Sequence, residues 1–468
     1  MMALAARGWA TADTVALPLL VPGPLPRSGP GDPVEALAAE LSGRVRAAFV
    51  DGLQVAALLE AQGVTDRDAR VRYGHPDVFA LAAAVHLLLG DRQDPAPPRP
   101  APRRAWRELL HGGLYLLPSV LFPAVITAAH RPPVTAVVTA GLLGWVWAGA
   151  LTWLAQQHLN AGDEPAAGRL LARGSVLGVA VAGAAGAAVT AAGGDRVAVL
   201  LVPVVTAYQL AATVLLFFRA EAWLVTLMAP AAVAGGGFVL AGDWPPAAAI
   251  VPAVLGAVAS FGVALNRAAP GTGAARAGRL RAVMRGRWST FALVVLCTAL
   301  LAALVLLPQV PLLTDRFDAL LATLPLVVSM GFVEWRARRF GERARELLHG
   351  DLGPARYRRR LWRWLALDVG ACALVAGAGA ALVLAALHRS GRLTPAAEAM
   401  ATASVLLAGA VLLAFVLAAH GGYGRLCVAL AAALAAYATT PFPGSVALLL
   451  GLLAAALTPS LGRVRHHR

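Results

Sequence analysis

From residue 112 to the C-terminus the chain alternates long apolar runs with short polar breaks. All but the eleventh run, which is the shortest, hold about 17–25 residues, enough at about 1.5 Å per residue to cross a hydrocarbon layer of about 30 Å. The runs lie near 113–129, 133–157, 174–193, 197–218, 222–242, 246–266, 289–308, 318–334, 364–387, 396–419, 426–440 and 444–461. The pattern predicts an all-α polytopic membrane protein with twelve transmembrane helices. They divide six and six: lobe 1 over 113–266 and lobe 2 over 289–461, joined by a basic loop over 267–288, with a basic tail over 462–468. Two halves of similar size suggest a repeat with a cavity between lobes. Pro118, Pro123, Pro203, Pro230, Pro252 and Pro325 fall inside spans, where each frees a carbonyl and bends its helix.

The pattern upstream is different. Residues 1–32 are rich in Ala, Pro and Gly, carry no signal-peptide pattern and read as disordered. Over 33–90 the apolar positions Val34, Leu37, Leu41, Val45 and Phe49 recur at helical spacing. Leu53, Ala56 and Leu59 mark a second helix ending near Gly63. Thr65 and Asp68 have the spacing of a capping box, and His75-Pro76-Asp77 opens a further helix with Pro at its first position. A small helical domain facing the cytoplasm is expected here, followed by a Pro-rich linker over 91–112.

Composition supports the membrane reading. Hydrophobic residues make up 59% of the chain, charged residues 14%, and mean hydropathy is +0.68. All 40 basic residues are arginine. With the N-terminus inside, 23 arginines fall in the cytoplasmic loops between spans and the C-terminal tail, and five (Arg131, Arg196, Arg316, Arg389, Arg392) fall in the opposite loops. That asymmetry places both termini in the cytoplasm and accounts for most of the +15 net charge through topology. Trp106, Trp223, Trp244, Trp288, Trp335, Trp362 and Trp364 sit at predicted span ends, as interfacial anchors do. The 33–90 domain holds seven acids and five arginines, a balance that excludes a nucleic-acid footprint and favours docking of a cytoplasmic protein. Cys297, Cys372 and Cys427 have no ligand spacing and read as small buried hydrophobes.

The most informative segment runs from Leu154 to Arg173: an apolar helix ends in amides, Gly162-Asp163 breaks it, and an Arg-bearing helix re-enters the membrane. Ala155-Gln156, Gly162-Asp163, Ala166 and Arg169 fit the pattern "AQ…GAGD…A.R". The segment resembles the span 2–3 connection of the multidrug/oligosaccharidyl-lipid/polysaccharide exporter superfamily. That resemblance implies two six-helix lobes working by alternating access in a bacterial inner membrane. Drug and cation antiporters of the superfamily use an intramembrane carboxylate. Here predicted spans 1 and 7 contain none, and the one acid placed well inside a span is Asp368. The polysaccharide branch, similar to PelG and Wzx proteins, fits better. It implies membrane lipids and an anionic lipid-linked saccharide as partners. Candidate cavity or gating groups are Gln156, Gln157, Gln209, Arg219, Asp368 and Arg425, with Arg219 and Arg425 expected to attract a phosphate or acidic sugar. The segment Arg336–Trp364 is expected to lie at the inner leaflet as a basic amphipathic stretch.

Other classes fit less well. No HExxH, nucleophile elbow or phosphate loop is present, and Ala129–Pro133 offers no acid for a lipid-dependent glycosyltransferase, so neither an enzyme nor a cofactor is expected. The loop at Gly162-Asp163-Glu164 departs from the major-facilitator signature. A drug/cation antiporter, and a non-transporting scaffold or sensor signalling through 33–90, remain the alternatives.

Overall fold

The computed structural model describes residues 33–44, 52–92, 109, 111–117, 122–129, 132–161, 163–241, 244–269, 284–315, 321–347 and 354–461. The chain divides into two compact units. In the smaller unit, helices α1 (Pro33–Arg44), α2 (Gly52–Ala61), α3 (Asp66–Tyr73) and α4 (Val78–Arg92) close around Leu37, Leu41, Val55, Leu59, Leu81 and Val85. The Thr65–Asp68 capping box is present in full. Asp68 N–H donates to the Thr65 hydroxyl oxygen at 3.3 Å, and Thr65 N–H donates to the Asp68 carboxylate at 3.0 Å. The Thr65 hydroxyl also donates to that carboxylate, at 2.6 Å, and with the Thr65 backbone N–H it holds the Asp68 carboxyl below its usual range. The following helix starts two residues later than expected, at Val78. Asp77 is its cap, accepting from Ala80 N–H at 2.7 Å, so Pro76 lies outside the helix rather than at its first position.

The larger unit is all-α and polytopic. Among the described residues nine helices are long and apolar enough to cross a membrane. Its elements are α5 (His111–Leu116), α6 (Phe122–Ala129), α7 (Val134–Asn160), α8 (Glu164–Ala191), α9 (Ala198–Phe217), α10 (Glu221–Ala241), α11 (Pro246–Ala268), α12 (Trp288–Leu306), α13 (Val310–Asp315), α14 (Leu324–Glu346), α15 (Pro354–Arg389), α16 (Pro395–Ala419), α17 (Tyr423–Tyr437) and α18 (Phe442–Leu461). Four spans differ from the expectation. The third and ninth, α8 and α15, each begin ten residues early, at Glu164 and Pro354. The first is two short helices, α5 and α6, and residues 118–121 between them, with Pro118, lie outside the described residues. The eighth is α14, which begins at Leu324 and runs on to Glu346 through a charged half. The eleventh, α17, has the 15 residues expected of it, placed three residues earlier. Gly162, the tail 462–468 and most of the basic loop 267–288 also lie outside the described residues.

The packing of α7–α11 recurs in α14–α18. Helix α7 packs on α8 and α9, α8 on α9, α9 on α11, and α10 on α11. In the same order α14 packs on α15 and α16, α15 on α16, α16 on α18, and α17 on α18. In each set one helix is central: the apolar stretches of α9 and α16 are 78% and 83% buried, against 39% or less for the other seven. The outer faces carry Leu177, Val233, Leu255, Leu367, Leu374 and Val428, apolar side chains that suit lipid.

Small residues set the close approaches, as lipid-embedded helix pairs require. In α8, Gly174, Gly178, Ala182 and Gly186 form one ridge. A Cβ on Gly174 would meet Leu151 at 2.2 Å, and one on Gly186 would lie 2.4 Å from the Ala198 carbonyl. In α15 the matching ridge is Cys372, Ala376 and Ala380, all buried. The turns match too. Both α8 and α15 end in a left-handed glycine, Gly193 and Gly391. Both α9 and α16 end in a left-handed residue, but there Gly421 is matched by Arg219, the one described non-glycine with positive φ, at 56°.

A left-handed L-residue costs about 1–2 kcal/mol, so Arg219→Gly should raise thermal stability by about 1 kcal/mol in a detergent melt. In the smaller unit, Thr65→Ala should speed amide exchange at Asp68 about fivefold, matching loss of a cap worth about 1 kcal/mol. The lowered Asp68 carboxyl makes the box fully stabilising above the unfolded-state pKa of about 4. That contribution fades as the pH falls through the lower folded-state value.

Candidate functional site

Within the larger unit, one helix from each half of the chain packs against the other half. Helix α5 lies against α14, and α12 lies against α7. At the first contact the Gly112 backbone is so close to α14 that a Cβ would lie 1.9 Å from the Val328 carbonyl oxygen. The Tyr115 hydroxyl donates to a Glu334 carboxylate oxygen at 2.9 Å, and Glu334 is only 3% exposed. From the other side, the Tyr208 hydroxyl of α9 donates to the Leu114 carbonyl at 2.7 Å. Residues 114 and 115 are therefore held by both helix sets at once, while α6 packs on α10 and α11 of the first set.

At the second contact α12 follows α7 along most of its length. Arg287 donates to the Gln157 side-chain oxygen, Trp153 and Phe291 rings lie 5.7 Å apart, Gly149 meets Thr298, and Gly141 meets Leu306. The far side of α12 faces α17, where the buried Cys297 and Cys427 thiols are 2.7 Å apart. Each cysteine is a small apolar group in the helix contact, as expected, and the two are neighbours.

The remaining candidates have local partners. Gln156 is buried and donates to the Asn160 side chain at 3.0 Å. Gln209 on α9 fills the space left by Gly144 on α7, and its side-chain oxygen is buried with no hydrogen-bond partner. Arg219 is exposed at the turn after α9. Arg425 donates to the Ala456 carbonyl and the Ser460 hydroxyl, which fastens α17 to α18. Asp368 is buried between α15 and α14, paired with Arg336 and, at 3.8 Å, with Arg343. No hydrogen bond or ion pair among the described residues links Gln209, Arg219, Asp368 and Arg425 to one another.

The loop motif is explained by capping. Asp163 accepts from Ala166 N–H at 3.1 Å and starts α8 at Glu164-Pro165, so Arg169 sits in the second turn of one continuous helix rather than on a separate short one. Ala155 is fully buried on the α7 side of the turn. Sequence reasoning missed Glu334, which it placed at a span end beside the basic stretch. The structure gives the membrane region a second buried acid besides Asp368. The signal was the lone acid directly after the run Leu324–Val333. Among the described residues no group of three or more His, Cys, Asp or Glu is placed to hold a metal ion.

No family model matches the chain, and no curated protein matches it in sequence. A solved structure that matches is the inward-facing conformation of a multidrug resistance MATE family transporter of the MOP superfamily. It is 13% identical over 78% of this chain and 98% of that one, with a TM-score of 0.43.

Gly112→Ala should destabilise the protein by about 1–3 kcal/mol, because the clash is with backbone and no side chain can yield. Gly113→Ala, where a Cβ meets nothing within 4 Å, is the matched control and should melt like wild type.

Proposed function

We propose that the protein is a multi-pass transporter of a bacterial inner membrane, with twelve crossings in two six-helix lobes and both ends in the cytoplasm. The observation that carries this reading is the recurrence of one packing scheme in α7–α11 and α14–α18, with α5 and α12 each reaching across to the other set. Two similar lobes joined by crossing helices suit rocking about a central site. The arginine asymmetry supports the orientation.

The cargo we propose is a lipid-linked saccharide with an anionic head, taken from the inner leaflet and exposed outside by alternating access. The loop motif from Ala155 to Arg169 supports the superfamily, and the lack of an acid in predicted spans 1 and 7 favours its polysaccharide branch. Arg219, exposed at the arginine-rich end of α9, is the better of the two anion-attracting candidates, since Arg425 is occupied in joining α17 to α18. Residues 33–92 dock a cytoplasmic protein on this reading, with Leu53, Phe79 and Leu87 exposed for it.

A second reading, cation-coupled efflux, gains from Glu334. A carboxylate buried in a membrane helix and bonded across the lobe contact has the placement a coupling group needs. In either case the Tyr115–Glu334 bond must open if α5 is to part from α14.

Purified protein in sealed vesicles, with a fluorescent lipid-linked saccharide in the outer leaflet, tests the cargo and the junction together. Wild type should scramble or flip the probe. Glu334→Gln should change the rate about tenfold, on the order of the 1.4 kcal/mol that a lost charge-assisted hydrogen bond represents. Flipping by Glu334→Gln at the wild-type rate would remove the junction from the mechanism. Wild type that moves only cationic dyes, with a pH gradient, would replace the saccharide reading with the second one.

A further inference from the structure

Helix α15 breaks the likeness between the two helix sets. It has 36 residues where its counterpart α8 has 28. Matching their terminal glycines, Gly193 and Gly391, puts all the excess at the N-terminal end, over 354–361. Those eight residues hold Arg356, Arg358, Arg359 and Arg360. The counterpart helix stops instead at its Asp163 cap.

The exposed stripe of α15 shows where the bilayer lies on it. Arg356, Arg360, Arg363, Leu367, Leu374 and Leu382 follow one another at spacings that keep one face, and all are exposed. From Leu367 to Leu387 the helix rises about 30 Å, the thickness of a hydrocarbon core. The stripe therefore passes from lipid-facing leucine to arginine at the level of the headgroups. Residues 354–363 continue about 15 Å beyond it.

At that level the side chains are organised. The Trp364 ring is flanked by two guanidinium groups from different helices, Arg360 of α15 at 5.4 Å from its centroid and Arg343 of α14 at 6.0 Å. Arg343 also lies 3.8 Å from the buried Asp368, which fixes it from behind. Arg336, the other partner of Asp368, lies over Phe332 and Trp335. Topology alone asks only for positive charge in a loop. Here the charge is on ordered helix, in register with the lipid face, and fastened to an indole. The sequence from 336 to 363 holds ten arginines against three acids, Glu342, Glu346 and Asp351, and Arg339 is 3.9 Å from Glu342.

We propose that Arg343, Trp364 and Arg360, with Arg356 and Arg363 beside them, form a binding site for the headgroup of an anionic phospholipid in the leaflet at this end of α15. The phosphodiester accepts from the paired guanidinium groups, the indole lies at the interface, and the acyl chains run along Leu367 and Leu374. The site does not depend on what the protein transports.

The test uses the full-length protein in phosphatidylcholine vesicles with or without phosphatidylglycerol, followed by native mass spectrometry of the lipid retained after gentle extraction. Wild type should keep phosphatidylglycerol in preference to phosphatidylcholine. Arg360→Gln with Arg363→Gln should lower that preference about fivefold for each arginine removed. Arg173→Gln with Arg285→Gln removes the same charge from exposed positions elsewhere at the same end and should change it little. Equal losses in the two double variants would mean diffuse attraction and overturn the site. Arg360→Lys keeps the charge but loses the planar stack, and should lower retention as well. Retention unchanged in Arg360→Lys would also overturn the site, and this single variant decides the matter if the double one fails to fold. Inorganic phosphate should not displace the lipid, and displacement would assign the groups to a soluble anion instead.

Discussion

Hydrocarbon offers no partner to a free N–H or C=O, so a chain that lives in it must close its backbone bonds within each helix. That constraint governs the rest of the architecture. Once every crossing is a helix, side-chain hydrophobicity no longer distinguishes the protein interior from lipid, and association rests on how closely helices approach. The ridge Gly174–Gly178–Ala182–Gly186 and its counterpart Cys372–Ala376–Ala380 are the residues that permit close approach. The same constraint explains why α9 and α16 can be almost wholly buried without a polar face. Each is central to its set and touches neighbours on all sides.

The two helix sets agree in packing order and in the turns that end their second and third long helices, and they differ in a few places. Helix α15 is longer at one end. Arg219 occupies a backbone conformation for which Gly421 is the natural choice. The counterpart of α5 and α6, α12, is a continuous helix of 19 residues followed by a short turn. The exposed arginine at a strained turn and the arginines added to a helix end are both costs or additions that a symmetric scaffold would not need.

Local features were legible in the sequence. Thr65 and Asp68 are three residues apart, so their box could be read from spacing alone, and the Asp163 cap could be seen in the same way. The long spans were legible because hydropathy integrates over about 20 residues. The boundaries of α14 were not, because its apolar and charged halves form one helix whose buried face continues through Ala337, Phe340 and Ala344. Contacts between distant segments left no trace in the pattern. Gln209 opposite Gly144, Cys297 beside Cys427, and Tyr115 on Glu334 each need two segments brought together by the fold. Asp368 illustrates the reverse. It stood out as an intramembrane acid, yet its surroundings supply the two arginines that make it a fastening between α14 and α15.

The Tyr115–Glu334 contact spans 219 residues of sequence. A ribosome adding about 5–20 residues per second needs roughly 10–40 seconds to cover that distance. Until then α5 is in the membrane without the helix that Gly112 is shaped to meet. Its other partner, Tyr208, arrives sooner, 94 residues on. Helix α5 is thus fully seated only after α14 has been made as far as Glu334. During biogenesis the nascent chain must carry it as an unfinished, lipid-exposed segment, held by the insertion machinery or by lipid until the second helix set is made.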